Sequence, residues 1–201
     1  MTTRVTLISP ARSEASESFR FDDGSELSAA GVREARAARA AAGALLEGAA
    51  RVAVAPSARC VRTAGELGLR DAAAFADARL AGCGMGRWRG RTLTEVSEAE
   101  PEGVARWLAD PSTAPHGGET LVRLCARTAE WLTEAASVYG RVVAVAEPDV
   151  VRAAVVHALG APETGLWRVD VAPLTAVRLS GRAGRWNLRA GLALDGAGER
   201  T

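Results

Sequence analysis

The chain contains no lysine. All 25 of its basic residues are arginine, and they face 24 acidic residues for a formal net charge of +1. The missing amine excludes Schiff-base chemistry on a lysine. The balanced charge gives no case for a nucleic-acid partner or a membrane surface. Cysteine is scarce: Cys60, Cys83 and Cys125 are odd in number, far apart and outside any Cys-x-x-Cys pair. Neither a zinc site nor a disulfide framework is expected from them, so no metal and no cofactor is expected, and a reducing cytoplasm is the expected compartment. No apolar run approaches the roughly 18 residues of a membrane span, and the start Met-Thr-Thr-Arg-Val has no signal-peptide architecture. Ile8 is the only isoleucine. Heavy use of alanine and arginine reads as the coding bias of a GC-rich genome rather than as function.

What is present is enough for one large domain over 1–201, with 48% hydrophobic residues among 201. Residues 4–9 read as a buried strand, Val52–Ala55 as a second and Arg141–Ala146 as a third. Ser28 is a natural N-cap for a long alanine- and arginine-rich helix. Further helices are expected at 59–67, 93–109, 119–136 and 150–159, a loop at 15–27, strands at 169–179 and 186–192, and a frayed tail at 195–201. Alternating strands and helices predict an α/β fold, a three-layer α/β/α sandwich around a mainly parallel sheet.

Each of the first three strands stops at or beside a proline and then delivers polar residues. The first gives Ser9, Pro10, Arg12 and Ser13; the second Ser57 and Arg59; the third Glu147, Asp149 and Arg152. In a parallel sheet these ends share one edge and line one crevice. Arginines gathered there suit an anion, although charged residues after strands are also often merely solvated.

Five stretches carry a resemblance. Leu27-Ser28-Ala29-Ala30-Gly31, Ser57-Ala-Arg59-Cys-Val-Arg-Thr63-Ala64, Gly86-Arg-Trp88-Arg-Gly90, Pro115-His116-Gly117-Gly118-Glu119-Thr120 and Val143 through Arg152 occur in that order. They resemble, in turn, the helix start, the Arg-Ala-x-Gln-Thr-Ala helix, the Gly-x-Trp-x-Gly loop, the Pro-x-Gly-Gly-Glu-Ser loop and the Val-Val-Ser-His-Gly strand end of the histidine phosphatase superfamily, the phosphoglycerate-mutase-like fold. The resemblance covers almost the whole chain. It implies a degenerate member. Where the family has Arg-His-Gly, with the histidine that carries the phosphoryl group, this chain has Ser9, Pro10 and Ala11. The second histidine falls on Glu147 and the usual acid on Gly82. Of the phosphate-clamping set only Arg59 survives.

Proline offers no nucleophilic atom, so phosphohistidine cannot form at position 10. Glu147 adds a negative charge where a phosphate would lie. Two classes of function remain open. In one, the pocket is reused for a small anionic or carbonyl metabolite, with Glu147 as catalytic acid or base, Arg59 and Arg152 as anion binders, and Arg12, Ser13, Asp149 and His116 in support. In the other, the chain is an inactive pseudophosphatase that binds a metabolite or holds a partner. An ion pair of Glu147 with Arg59 that merely fills the vacated site is the plain alternative to a catalytic Glu147. A homodimer and a partner enzyme are both open. Cys60 at a helix start is a candidate for a lowered thiol pKa, but a small buried apolar residue is the better reading there.

Overall fold

The computed structural model describes residues 2–182 and 184–190. Five strands form one sheet: β1 (Thr3–Ile8), β2 (Arg51–Val54), β3 (Arg141–Val145), β4 (Ala176–Arg182) and β5 (Arg185–Arg189). Their spatial order is β2-β3-β1-β4-β5. β1 and β2 each run parallel to β3, with Ile8 opposite Val145 and Val54 opposite Val145 on the other side. β4 runs antiparallel to β1 and to β5. The sheet is therefore only partly parallel, a correction to the expectation of a mainly parallel one. The apolar alternation that reveals a strand carries no information about its direction, and the short Arg182–Arg185 connection makes β4 and β5 a hairpin.

The helices are α1 (Glu14–Glu17), α2 (Ala29–Leu46), α3 (Ala58–Glu66), α4 (Leu93–Ala99), α5 (Pro101–Ala109), α6 (Leu121–Ala135) and α7 (Pro148–Leu159). The chain crosses from β1 over to β2 and then back to β3, so right-handed crossovers place α2 and α6 on opposite faces. α3 packs against α2, and α7 against α6 and β5. The result is an α/β/α sandwich. Its core is the central sheet itself: Val5, Leu7, Val54, Val142, Val143, Ala144 and Val145 are all at most 1% exposed. Each such valine or leucine contributes about 1.5–3 kcal/mol by leaving water.

Local chemistry sets the helix ends. Ser28 and Ser57 accept from the backbone N–H groups of Gly31 and Cys60, and Thr120 from that of Arg123. Pro148 opens α7, and Gly160, left-handed at φ 61°, closes it. The single helix expected at 93–109 is two. Pro101 has no N–H to continue α4, and instead starts α5. Part of the expected 15–27 loop is α1, held by reciprocal bonds between Ser13 and Ser16. The expected strand at 169–179 begins only at Ala176, because Pro173 cannot join a ladder and Leu174 adopts a positive φ of 53°. The tail at 195–201 and the end of the strand expected at 186–192 lie outside the described residues. No helix among the described residues is long and apolar enough to cross a membrane.

Candidate functional site

A crevice of 590 Å³ opens where the ends of β2 and β3 meet the loops carrying Phe21, Gly82–Met85 and Trp167. Ser57 and Arg59 enter it from the start of α3, and Glu147, Asp149 and Arg152 from the start of α7. Two of the three expected strand ends thus converge.

Glu147 lies at the floor, 1% exposed. Its carboxylate accepts from Arg59 Nε at 2.9 and 3.1 Å, and Arg59 Nη2 also donates to Oε2. The Ser57 hydroxyl donates to Oε1, and the Cys60 thiol lies 3.5 Å from the same atom. Arg59 is itself buried, with Asp22 Oδ1 3.6 Å from its Nε. Burial works against the guanidinium's charge, but Glu147 and then Asp22 more than offset it and hold the proton more firmly than usual. The cation expected to bind a substrate anion is therefore already engaged by protein carboxylates. The Cys60 thiol is pushed well above its ordinary range by burial and by the charge of Glu147. It is an apolar filler, not a lowered-pKa nucleophile.

Gly82 explains the company Glu147 keeps. A Cβ there would meet Glu147 Cγ at 3.4 Å and Asp149 Oδ2 at 3.6 Å. An acid at position 82 would point at these carboxylates, so a glycine at 82 and a glutamate at 147 suit one another. Asp149 lines the crevice and accepts from Cys83 N–H at 2.7 Å. Arg152 lines it too, and its Nε donates to the Val169 carbonyl at 2.9 Å. Burial, with Asp149 and Glu119 nearby, pushes the Cys83 thiol up to about 12.

The remaining expected site residues stand elsewhere. Ser9 is fully buried. Its hydroxyl donates to the Ala172 carbonyl at 2.6 Å and accepts from Thr175 N–H at 3.0 Å. The Pro10 carbonyl takes Leu174 N–H, and Ala11 N–H donates to Thr63. None of the three lines the crevice. Arg12 points away to Glu34 at 3.6 Å, and Ser13 is spent capping α1. His116 is buried, 1% exposed, against Trp88 and Trp107, at 5.1 and 6.4 Å between ring centres. Its Nδ1 accepts from Gly118 N–H, so it supports the loop rather than the crevice. Arg12, Ser13 and His116, expected at the crevice, therefore do not line it.

The same loop pair shows what its glycines do. A Cβ on Gly118 would fall 1.7 Å from the Gly84 carbonyl oxygen. Only glycine permits that approach, which also brings Glu119 N–H to the same carbonyl.

Sequence reasoning missed the apolar wall. Phe21, Met85, Trp107, Leu121, Leu166 and Trp167 line the crevice. Trp107 sits edge-on to Trp167 at 4.6 Å and to Phe21 at 5.8 Å. Phe21 and the two tryptophans lie in three separate segments, and nothing in their local spacing brings them together. Among the described residues no group of three or more His, Cys, Asp or Glu side chains is placed to hold a metal ion.

The sequence profile of the histidine phosphatase superfamily, branch 1, matches residues 11–191. The chain belongs to this superfamily. A mycobacterial glucosyl-3-phosphoglycerate phosphatase, solved with VO3, is 25% identical and superposes with a TM-score of 0.79 over 92% of this chain and 96% of its own. Bacillus stearothermophilus YhfR superposes with a TM-score of 0.80 at 19% identity, over 92% of this chain and 95% of its own. An alpha-ribazole phosphatase from Shigella flexneri does so with 0.74 at 19% identity, over 92% and 94%. No curated protein matches the chain. Where the resemblance to the superfamily places a phosphorylated histidine, at position 10, this member has a proline, whose carbonyl accepts from Leu174 N–H at 3.3 Å.

Proposed function

We propose that this member of the superfamily does not transfer phosphate and instead uses the crevice to bind a small molecule. The observation that carries this reading is the closed Arg59–Glu147 pair. The cation that would meet a phosphate is neutralised at the floor, and a dianion placed there would face Glu147, Asp22 and Asp149. Pro10 supplies no nucleophile and Cys60 stays a thiol. The crevice volume falls within the usual range for small-molecule sites.

Acid or base chemistry at Glu147 needs a carboxylate oxygen free to reach a substrate atom. Both oxygens already accept from protein donors, which favours binding over catalysis. The test is a turnover assay with p-nitrophenyl phosphate, phosphoglycerates and nucleotides. No hydrolysis above background is expected, and hydrolysis abolished by Arg59→Ala overturns the reading. Turnover of a metabolite in extracts that is lost in Glu147→Gln would instead establish the acid–base role.

A further inference from the structure

The charged groups of the crevice differ in how much bonding capacity they have left. Arg59 is closed on Glu147 and Asp22. Arg20 is held by Glu95 and the Gly90 carbonyl. Arg89 stands exposed and donates to the Asp23 carbonyl. Asp22, half-buried, keeps Oδ1 without a hydrogen bond, 3.6 Å from Arg59 Nε, at the Arg59 end of the crevice; two further half-buried groups remain. Arg152 spends only Nε, on Val169, and makes no ion pair among the described residues. Asp149 spends only Oδ2, on Cys83 N–H. Arg127, whose charge is felt by Asp149, is itself bidentate on Glu119 at 2.8 Å through each nitrogen.

Asp149, in the first turn of α7, and Arg152, at the start of its second, stand three residues apart as neighbours on one helix face, yet they do not bond each other. One offers an open carboxylate oxygen and the other open guanidinium N–H groups. Phe21, Trp107 and Trp167 line the same crevice, and the segment carrying Trp167 packs against α7.

From this juxtaposition we propose that the crevice takes a small zwitterion of the amino-acid type with an apolar, preferably aromatic, side chain. Its carboxylate forks onto Arg152, its ammonium meets Asp149, and its side chain lies against the tryptophans. The proposal rests on the crevice being a binding site rather than a phosphatase centre, and it names the ligand class. A phosphate ester fits less well, because its dianion would have to lie beside Asp149. A simple aromatic acid leaves Asp149 unmatched, and a simple amine leaves Arg152 unmatched.

The test is isothermal titration of the purified chain with L-tryptophan, L-phenylalanine and L-leucine, and with two truncated analogues: indole-3-propionate, which lacks the ammonium, and tryptamine, which lacks the carboxylate. Binding of an aromatic amino acid at least about tenfold tighter than both analogues is expected. Asp149→Asn weakens the amino acid by about tenfold and leaves indole-3-propionate unchanged, whereas Arg152→Gln does the same and leaves tryptamine unchanged. Asparagine keeps an acceptor for Cys83 N–H, and unaltered melting temperatures show that both variants are folded. Tighter binding of either analogue than of the amino acids overturns the ligand class while the binding reading stands. So does failure of all three amino acids to bind at about 10 mM. Phosphate-ester turnover overturns both.

Discussion

Arg59 and Glu147, 88 residues apart in sequence, close on each other at the floor of the crevice, with both carboxylate oxygens receiving the guanidinium. A buried pair of this kind is costly to break from one side. Removing one partner leaves the other charge stranded, whereas removing both together leaves nothing unpaired.

The expected energetics follow directly. Glu147→Gln should lower the free energy of unfolding by about 3 kcal/mol, and Arg59→Met by a similar amount. Asp22, 3.6 Å from Arg59, softens the first loss. The double variant Arg59→Met, Glu147→Leu should cost clearly less than the sum, and urea unfolding of the four proteins measures the coupling. Additive losses would mean that the pair contributes no mutual stabilisation.

Restoring the nucleophile alone should not restore the chemistry. Pro10→His should give no turnover of p-nitrophenyl phosphate and no phosphoenzyme. Position 10 does not line the crevice, and Arg59 is already paired with Glu147. A phosphohistidine detected by mass spectrometry in this single variant would contradict that account.

Stability should depend on pH through His116. Burial among the tryptophans depresses its pKa, with the charge of Arg87 adding to the effect and that of Glu100 opposing it. The folded imidazole stays neutral where the unfolded one, with an ordinary value of 6.5, binds a proton. Its stabilisation is therefore complete above 6.5 and is lost as pH falls from there through the depressed folded value. For a single group the slope cannot exceed about 1.4 kcal/mol per pH unit. Urea midpoints measured between about pH 7.5 and pH 5 should show this fall, and His116→Asn should flatten it. An unchanged slope in the variant would exclude His116 as its source.

Much of this was legible in the sequence because it is local. Capping by Ser28 and Ser57 is written in a serine before an apolar run, and the strand ends at 147 and 57 follow from short valine- and alanine-rich segments stopped by proline. The turn at 181–184 already joined the last two strands, but the direction of β4 against β1 was not legible, since a strand's alternation reads the same both ways. Ser13, Arg12 and His116 were misplaced for a shared reason. Sequence fixes how close a residue is to a strand end, not which way its side chain turns once a cap, a surface glutamate or a tryptophan cluster competes for it. The apolar wall was invisible because its aromatic residues, Phe21, Trp107 and Trp167, come from three segments far apart in the chain.

The tie between Ser9 and the 172–175 segment bears on the history of the fold. Ser9 has no exposed surface, and both its hydroxyl and its backbone N–H are bonded to that segment. A long side chain at position 9 has nowhere to go until that segment moves, and the segment has no reason to move until position 9 changes. Each substitution is unfavourable without the other. Position 9 and residues 172–175 are therefore expected to have changed as a linked pair rather than one at a time.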